Sequence, residues 1–238
     1  MIDMHSHSLP GVDDGAKTIR DSLSMLSMAK QQGVTLVAAT PHCITDREEG
    51  VAEFVRKRQA AYEALKKAIE EDGGDYPDVI YGAEVYLGCD ISEFSNLHDL
   101  CYQNTDYILL EMPSGYSCED LSEWIYNIST KGLRPVIAHV DRYSRYKQFM
   151  DEFNSVTGMV YQINASEFET MASRRLVKSI LKRHDRIIVS SDMHNCTTRP
   201  CNMLDAYNSA MKKFPKYCDM LFKTGAECIV NNAEFRVK

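Results

Sequence analysis

Two histidines stand one residue apart near the start of the chain, in the stretch MHSHSLPGVDDG at residues 4–15. On a strand, side chains alternate between faces, so His5 and His7 point the same way and Asp3 shares their side. Two adjacent imidazoles repel when charged, but when neutral they suit a divalent metal. Asp3 is placed to hold them from behind through its carboxylate. A solitary His-x-His pair equally fits a plain polar surface, so the rest of the chain decides.

The same residue types recur after other apolar runs. His42 follows VTLVAAT, Glu84 falls within DVIYGAEV, and Glu111 ends DYILLEM. His139 and Arg142 close RPVIAHVDRY, Asn164 ends MVYQINA, and Asp192 and His194 follow RIIVSS. Singly, Glu111 fits a surface acid, His42 a helix cap and Asp192 an N-cap. Their recurrence after all seven runs favours one site. Five of the seven histidines fall at these ends, leaving His98 and His184 as surface or structural residues. The ligand types are imidazole and carboxylate with no well-placed thiolate. That set favours manganese, iron or zinc in a multinuclear hydrolytic centre, with Glu84 placed to bridge two ions.

The elements that must position these residues follow from patterning. The seven runs are nearly continuous in apolar character, as buried parallel strands are. Between them lie helical patterns over 17–32, 51–72, 118–131, 166–184 and 200–214. The first directs Leu23, Leu26 and Met28 or Ala29 inward, the second Phe54, Val55, Tyr62, Leu65 and Ile69, the third Leu121, Trp124, Ile125 and Ile128. Alternating strand and helix predicts an α/β fold: a distorted TIM-like (β/α)7 barrel with its metal centre at the C-terminal ends of the strands. No linker divides the chain, and 1–238 reads as one domain.

Composition excludes several alternatives. At 238 residues, 44% hydrophobic and 26% charged, the chain is an ordinary globular protein. A net charge of −7 offers no basic footprint for nucleic acid or anionic lipid. With no signal-peptide pattern and no apolar run near the roughly 18 residues of a membrane span, a cytoplasmic protein without membrane insertion is expected. Eight scattered cysteines contain no Cys-x-x-Cys pair, and none has Arg six positions on. A cysteine-nucleophile phosphatase is therefore excluded.

MHSHSLPGVDDGAK, VAATPH, YGAEVY, ILLEMP, PVIAHVDRY and SSDMHNCTTRP together resemble the polymerase-and-histidinol-phosphatase (PHP) superfamily. More closely, they resemble its bacterial protein-tyrosine phosphatases from capsule and exopolysaccharide operons. The likeness runs from residue 1 to about residue 199 and is dense at every motif. It implies three metal ions, usually manganese. One ion would take His5, His7, Glu84 and Asp192. A second would share Glu84 and add Glu111 and His139, and a third would take Asp14, His42 and His194. Asp13 is then the acid beside a ligand, and Arg142 and Arg199 match phosphate-binding arginines. Three departures touch the rim and tail: Asp141 where Glu is common, Cys43 where another histidine is common, and KTGAECIVNN without the usual proline.

The chemistry implied is phosphate-monoester hydrolysis. Coordination lowers the pKa of water to about 7 in favourable sites, and two arginines neutralise phosphoryl charge. A phenolate, with a conjugate-acid pKa of about 10, needs little help from a general acid. The expected partner is a phosphotyrosine protein, the tyrosine-rich C-terminal tail of a capsule-type tyrosine kinase. Short loops such as 112–115 and 194–196 leave a mouth open to a protein tail, and Tyr116, Tyr143 and Tyr146 are placed to pack against an aryl ring. The rivals are a small-molecule phosphatase of the histidinol-phosphatase type, a nuclease-like relative and a regulator that has lost activity. The acidic balance disfavours the nuclease, and the full ligand set disfavours the inactive regulator.

Overall fold

All seven expected strands form, but two are interrupted, each near the site. A computed structural model describes residues 1–113, 117–143 and 158–235; Tyr116, Tyr146 and part of the 112–115 loop lie outside them. β1 (Ile2–Ser6) is buried at every position. The second run divides into β2 (Leu36–Ala39) and β3 (His42–Cys43), the third into β4 (Asp78–Tyr81) and β5 (Glu84–Tyr86). Pro41 has no N–H for a ladder. At Gly82 a Cβ would lie 2.9 Å from the Tyr102 ring and 3.1 Å from Thr40 Cγ2, so only glycine lets these segments pass.

The first halves join β1 in a three-stranded sheet, β1-β2-β4. The second halves head a six-stranded sheet, β3-β5-β6-β7-β8-β9, where β6 is Tyr107–Glu111, β7 Arg134–Ile137, β8 Val160–Asn164 and β9 Ile187–Ser190. Every pairing is parallel. Past β9 the chain returns to the first strand: Asp192 N donates to His5 O and His7 N to Met193 O, each at 2.9 Å. Strand order thus follows chain order through seven parallel units of an α/β fold, as expected.

Helices cover the outside. α1 (Ile19–Gln31) starts at Thr18, whose hydroxyl accepts from Asp21 N while the Asp21 carboxylate accepts from Thr18 N. It buries Ser22, Met25, Leu26 and Ala29, with Leu23 and Met28 at the flank rather than the centre of that face. α2 (Glu48–Asp72) begins three residues earlier than expected, and α3 (Cys118–Thr130) is capped by Ser117. α3 buries Leu121, Ile125 and Ile128 but leaves Trp124 only partly covered. A short α4 (Val140–Tyr143) follows β7. The helix expected over 166–184 is a 3-10 turn, Ala165–Phe168, followed by α5 (Met171–Leu181), because the Thr170 hydroxyl caps a fresh start. α6 spans Met203–Lys213.

The tail holds an element the patterning did not predict. A π-helical turn, Met220–Thr224, runs into α7 (Gly225–Val230). Ala226, Ile229 and Phe235 pack with Met4, Leu109, Val136 and Ile188 inside the ring of strands, closing the core opposite the polar rim. No described helix is long and apolar enough to cross a membrane.

Candidate metal centre

Alternation along β1 delivers what it promised. His5 and His7 are fully buried, and their Nε2 atoms stand 3.3 Å apart. Two carboxylates meet them. Glu84 Oε2 lies 3.2 Å from His5 Nε2 and 3.3 Å from His7 Nε2; Asp192 Oδ1 lies at 3.4 and 3.3 Å from the same atoms. Glu84 spans two groups, because its Oε1 is 2.8 Å from His139 Nε2, which is 3.5 Å from Glu111 Oε1. On the other side, Asp14 Oδ1 is 3.6 Å from His42 Nε2 and 3.4 Å from His194 Nε2. All nine expected ligand residues therefore converge on one rim. Two of them reach further than the resemblance implied. His7 also lies within ligand distance of the Asp14–His42–His194 group, and His42 within that of Glu84 and Glu111.

The two adjacent acids take different roles. Asp13 Oδ2 is 2.6 Å from His7 Nδ1 and accepts from the His42 backbone N–H at 2.9 Å, so it holds the His7 ring from behind and ties it to the start of β3. Asp14 is exposed and faces the His42 and His194 imidazoles. Gly15 makes this turn possible, since a Cβ there would fall 2.1 Å from His7 O.

Other far-side ring nitrogens are engaged too. His5 Nδ1 lies 3.2 Å from Gln162 Oε1, His194 Nδ1 2.9 Å from Asp192 O, and His139 Nδ1 3.3 Å from the Tyr143 hydroxyl. Fixing the outer nitrogen sets the tautomer and frees the inner lone pair, the arrangement metal-binding histidines use. Gln162 was not singled out in the sequence, although it and Asn164 are the two amides of an apolar strand, two residues apart and on the same face. Its Oε1 also accepts from His139 N at 2.5 Å, and its Nε2 donates to Asn164 Oδ1. Tyr143 donates to Met112 O at 2.9 Å, so this tyrosine supports His139 rather than offering its hydroxyl at the rim.

Asp3 does not touch the imidazole rings as expected. Its Oδ1 accepts from Ser191 N and its Oδ2 from Ser191 Oγ, and it is completely buried. It anchors the turn that aims Asp192. Burial raises its pKa to about 6 against those hydrogen bonds. Asp192 itself has φ 55° and His139 φ 33°, a left-handed backbone that costs a non-glycine residue energy and clusters at functional sites.

Burial disfavours charge on His5, His7, Glu84, Glu111, His139, Asp192 and His194, and the neighbours decide the outcome. Burial is outweighed at His5 by Glu84 and Asp192, and at His7 by bonds to Asp13, Asp192 and Glu84, so both pKa values are raised. At His194 burial prevails with His7 beside it, lowering the pKa to about 4, and His139 is lowered by burial too. Glu84 and Asp192, though buried, are held well below the usual carboxylate range by His5 and its neighbours. Glu111 is pushed up by burial and by Glu84.

The chemistry of the donors fits metal ions. Three buried atoms that make no hydrogen bond, His42 Nδ1, Glu84 Oε2 and His194 Nε2, all face this cluster. His42 Nδ1 and Glu84 Oε2 are 2.9 Å apart without hydrogen-bond geometry. Imidazole nitrogens and carboxylate oxygens crowded together without hydrogen-bond geometry are what shared cations satisfy. Arg142 and Arg199 flank the cluster, half-exposed, each donating to Asp192 Oδ2. A cleft of about 610 Å³ opens beside Asp14 and His42, with Ile44 and Arg47 on its wall.

His98 and His184 stand apart, as expected. His98 is exposed, and the buried His184 ring lies tilted against that of Tyr161, centroids 4.1 Å apart. The described cysteines are all free, and burial pushes the Cys43 thiol up to about 12, far from a nucleophile's range.

A parallel α/β ring with imidazoles and carboxylates gathered at the C-terminal strand ends defines the metal-dependent hydrolase class. A family model described as capsular polysaccharide synthesis, CpsB/CapC, matches residues 1–231, and the chain belongs to that family. It is 28% identical over 244 residues to tyrosine-protein phosphatase CpsB of Streptococcus agalactiae, covering 98% of this chain and 99% of that one. It is 30% identical over 227 residues to the CpsB of Streptococcus pneumoniae, covering 90% and 91%. A chain from the crystal structures of YwqE from Bacillus subtilis and CpsB from Streptococcus pneumoniae, described as unique metal-dependent tyrosine phosphatases, superposes with a TM-score of 0.83. That match has 25% identity and covers 100% of this chain and 97% of the other. An amidohydrolase II structure at 11% identity and TM-score 0.54, covering 97% and 99%, shares the fold.

Proposed function

We infer that the chain is a metal-dependent protein-tyrosine phosphatase of capsular polysaccharide synthesis. The observation that carries this reading is the meeting of His5 Nε2, His7 Nε2, Glu84 Oε2 and Asp192 Oδ1 within 3.2–3.4 Å, with two arginines on the far oxygen of Asp192. We further propose three manganese ions. His5, His7, Glu84 and Asp192 would hold the first, Glu84, Glu111 and His139 the second, and Asp14, His42 and His194 the third. When bound, such ions supply a water nucleophile at neutral pH and draw charge from a phosphoryl group.

The chain's own residues do the rest. Gln162, Asp13, Tyr143 and the Asp192 carbonyl keep the rings aimed inward. Arg142 and Arg199 are the catalytic cations: their guanidiniums bind phosphoryl oxygens at the open mouth, where planar forks match a phosphate's geometry. The leaving phenolate, with a conjugate-acid pKa of about 10, takes its proton from water. The proposed substrate is the phosphotyrosine tail of a capsule-type tyrosine kinase. Comparison of kcat/KM on a phosphotyrosine peptide, a phosphoserine peptide and histidinol phosphate tests this. The phosphotyrosine peptide is expected to lead; a lead by histidinol phosphate would replace the reading with a small-molecule phosphatase.

A further inference from the structure

We propose that a groove between α5 and the turn following α6 is a second binding site, which takes an acidic segment of the protein substrate away from the metal centre. This rests on the protein-phosphatase reading, which supplies a macromolecular and anionic substrate. The groove encloses about 680 Å³. Six cations line it: Arg174, Arg175, Lys178, Lys182, Lys213 and Lys216. No Asp or Glu does, in a chain whose net charge is −7. Lys30, Lys67 and Lys131 each find an acid elsewhere, but none of these six forms a salt bridge among the described residues. Two backbone carbonyls hold Arg174 and the Tyr217 ring lies under Lys216, but among the described residues no carboxylate neutralises the six, which suits this surface to an anion.

The floor of the groove is apolar. Leu181 and Phe214 are buried beneath it, and Met171 stands 70% exposed at its edge. A concave, apolar-floored channel suits an extended peptide carrying acids and aromatic or aliphatic side chains. A flat bilayer would reach only the rims. α5 is about 16 Å long, room for roughly five extended residues.

The groove is joined to the catalytic rim. Arg174 Nη1 donates to Phe168 O and Glu169 O, both at 2.8 Å, on the loop leaving β8. Asn164, the last residue of β8, has its amide nitrogen 3.5 Å from Asp192 Oδ2. Glu169 Oε1 also accepts from Asn202 Nδ2 at 3.0 Å, just past Arg199. A substrate bound in the groove can therefore continue to the mouth over one short loop.

The test uses the metal-loaded full chain and its triple variant Arg175→Glu/Lys178→Glu/Lys182→Glu, all three side chains being exposed. The probe is an unphosphorylated fluorescent Glu/Tyr peptide of about twelve residues, several longer than the groove requires. Anisotropy is expected to show binding that weakens with salt, and about tenfold weaker binding by the variant. Turnover of p-nitrophenyl phosphate should be unchanged, which shows the variant folded. KM should rise for a phosphotyrosine peptide carrying the Glu/Tyr extension and stay fixed for a short one with neutral flanks. Equal peptide binding by both proteins overturns the proposal, as does wild-type binding to phosphatidylglycerol vesicles but not to the peptide. Failure of the wild type to hydrolyse any phosphotyrosine peptide overturns the phosphatase reading instead, and the anisotropy result still decides whether the groove binds acidic chains.

Discussion

Arg142 and Arg199 converge on one atom: their Nη2 nitrogens lie 3.0 and 2.7 Å from Asp192 Oδ2. The other oxygen of that carboxylate faces His5 and His7. One side chain thus joins the imidazole cluster to the cations at the mouth. Its φ of 55° is maintained by Asp3 gripping Ser191 from behind. The two arginines come from different units, one from α4 and one from beyond β9. Their separation is set by the fold, not by a local turn.

If the pair clamps a phosphoryl group, Arg142→Ala or Arg199→Ala should lower kcat about a hundredfold, near 3 kcal/mol of transition-state stabilisation. Lysine at either position should rescue only in part, because it lacks the bidentate fork. Metal content, measured by elemental analysis, should stay at the wild-type level. Unaltered kinetics in both alanine variants would mark them as surface residues.

Gln162 makes a prediction of its own. In Gln162→Leu, His139 N–H loses its acceptor and His5 Nδ1 loses its partner. Leaving a buried donor unpaired costs roughly 1–3 kcal/mol, which thermal unfolding would register. Metal affinity should fall about 10–100-fold, the usual consequence of freeing a ligating ring, and calorimetric titration measures it. Wild-type affinity in the variant would reduce Gln162 to packing.

The site was far more legible than the fold details around it, for a physical reason. Buried parallel strands leave polar residues almost nowhere but the rim, so His42, Glu84, Glu111, His139 and Asp192 stood out by position alone. What local pattern cannot carry is a tertiary constraint. The breaks at Pro41 and Gly82 depend on how neighbouring strands pass one another. Asp3 turned to Ser191 because a distant turn needed its carboxylate, a contact across 188 positions. The π turn and α7 were hidden because MLFKTGAECIV has a glycine at its centre and no side-chain cap to mark a helix start, yet Ala226 and Ile229 pack into the core between the strands.

The pH dependence of folding should carry a contribution from His184. Burial, with Arg183 beside it, holds its pKa below the ordinary 6.5 despite Asp185. A depressed folded value means that, below about pH 6.5, the unfolded chain binds a proton the folded one resists, so stability falls as pH falls. Between pH 7 and 5, denaturant unfolding should show a steeper loss in the wild type than in His184→Leu. Parallel curves would show that the ring titrates normally in the fold.

Metal removal should affect both activity and stability. The clustered donors come from β1, the β1–α1 loop, β3, β5, β6 and the turns after β7 and β9, so ions held there tie most of the ring together. A ligand that binds only the folded state stabilises it in proportion to the logarithm of its concentration over Kd, about 2.7 kcal/mol at a hundredfold excess. Chelation should therefore abolish hydrolysis of p-nitrophenyl phosphate and lower Tm by several degrees in the same sample. Without ions, Glu84 and Asp192 keep only protons and arginines as counter-charges, and His42 Nδ1 and His194 Nε2 stay unpaired. Manganese should restore both readouts together, with zinc and iron as comparisons for which ion supports turnover. Thiol alkylation with the metals in place should change little, because Cys43, Cys101 and Cys201 are buried with thiols pushed up to about 12. Full activity after chelation, with elemental analysis showing no bound metal, would reduce the cluster to a structural network and end the metal-dependent reading.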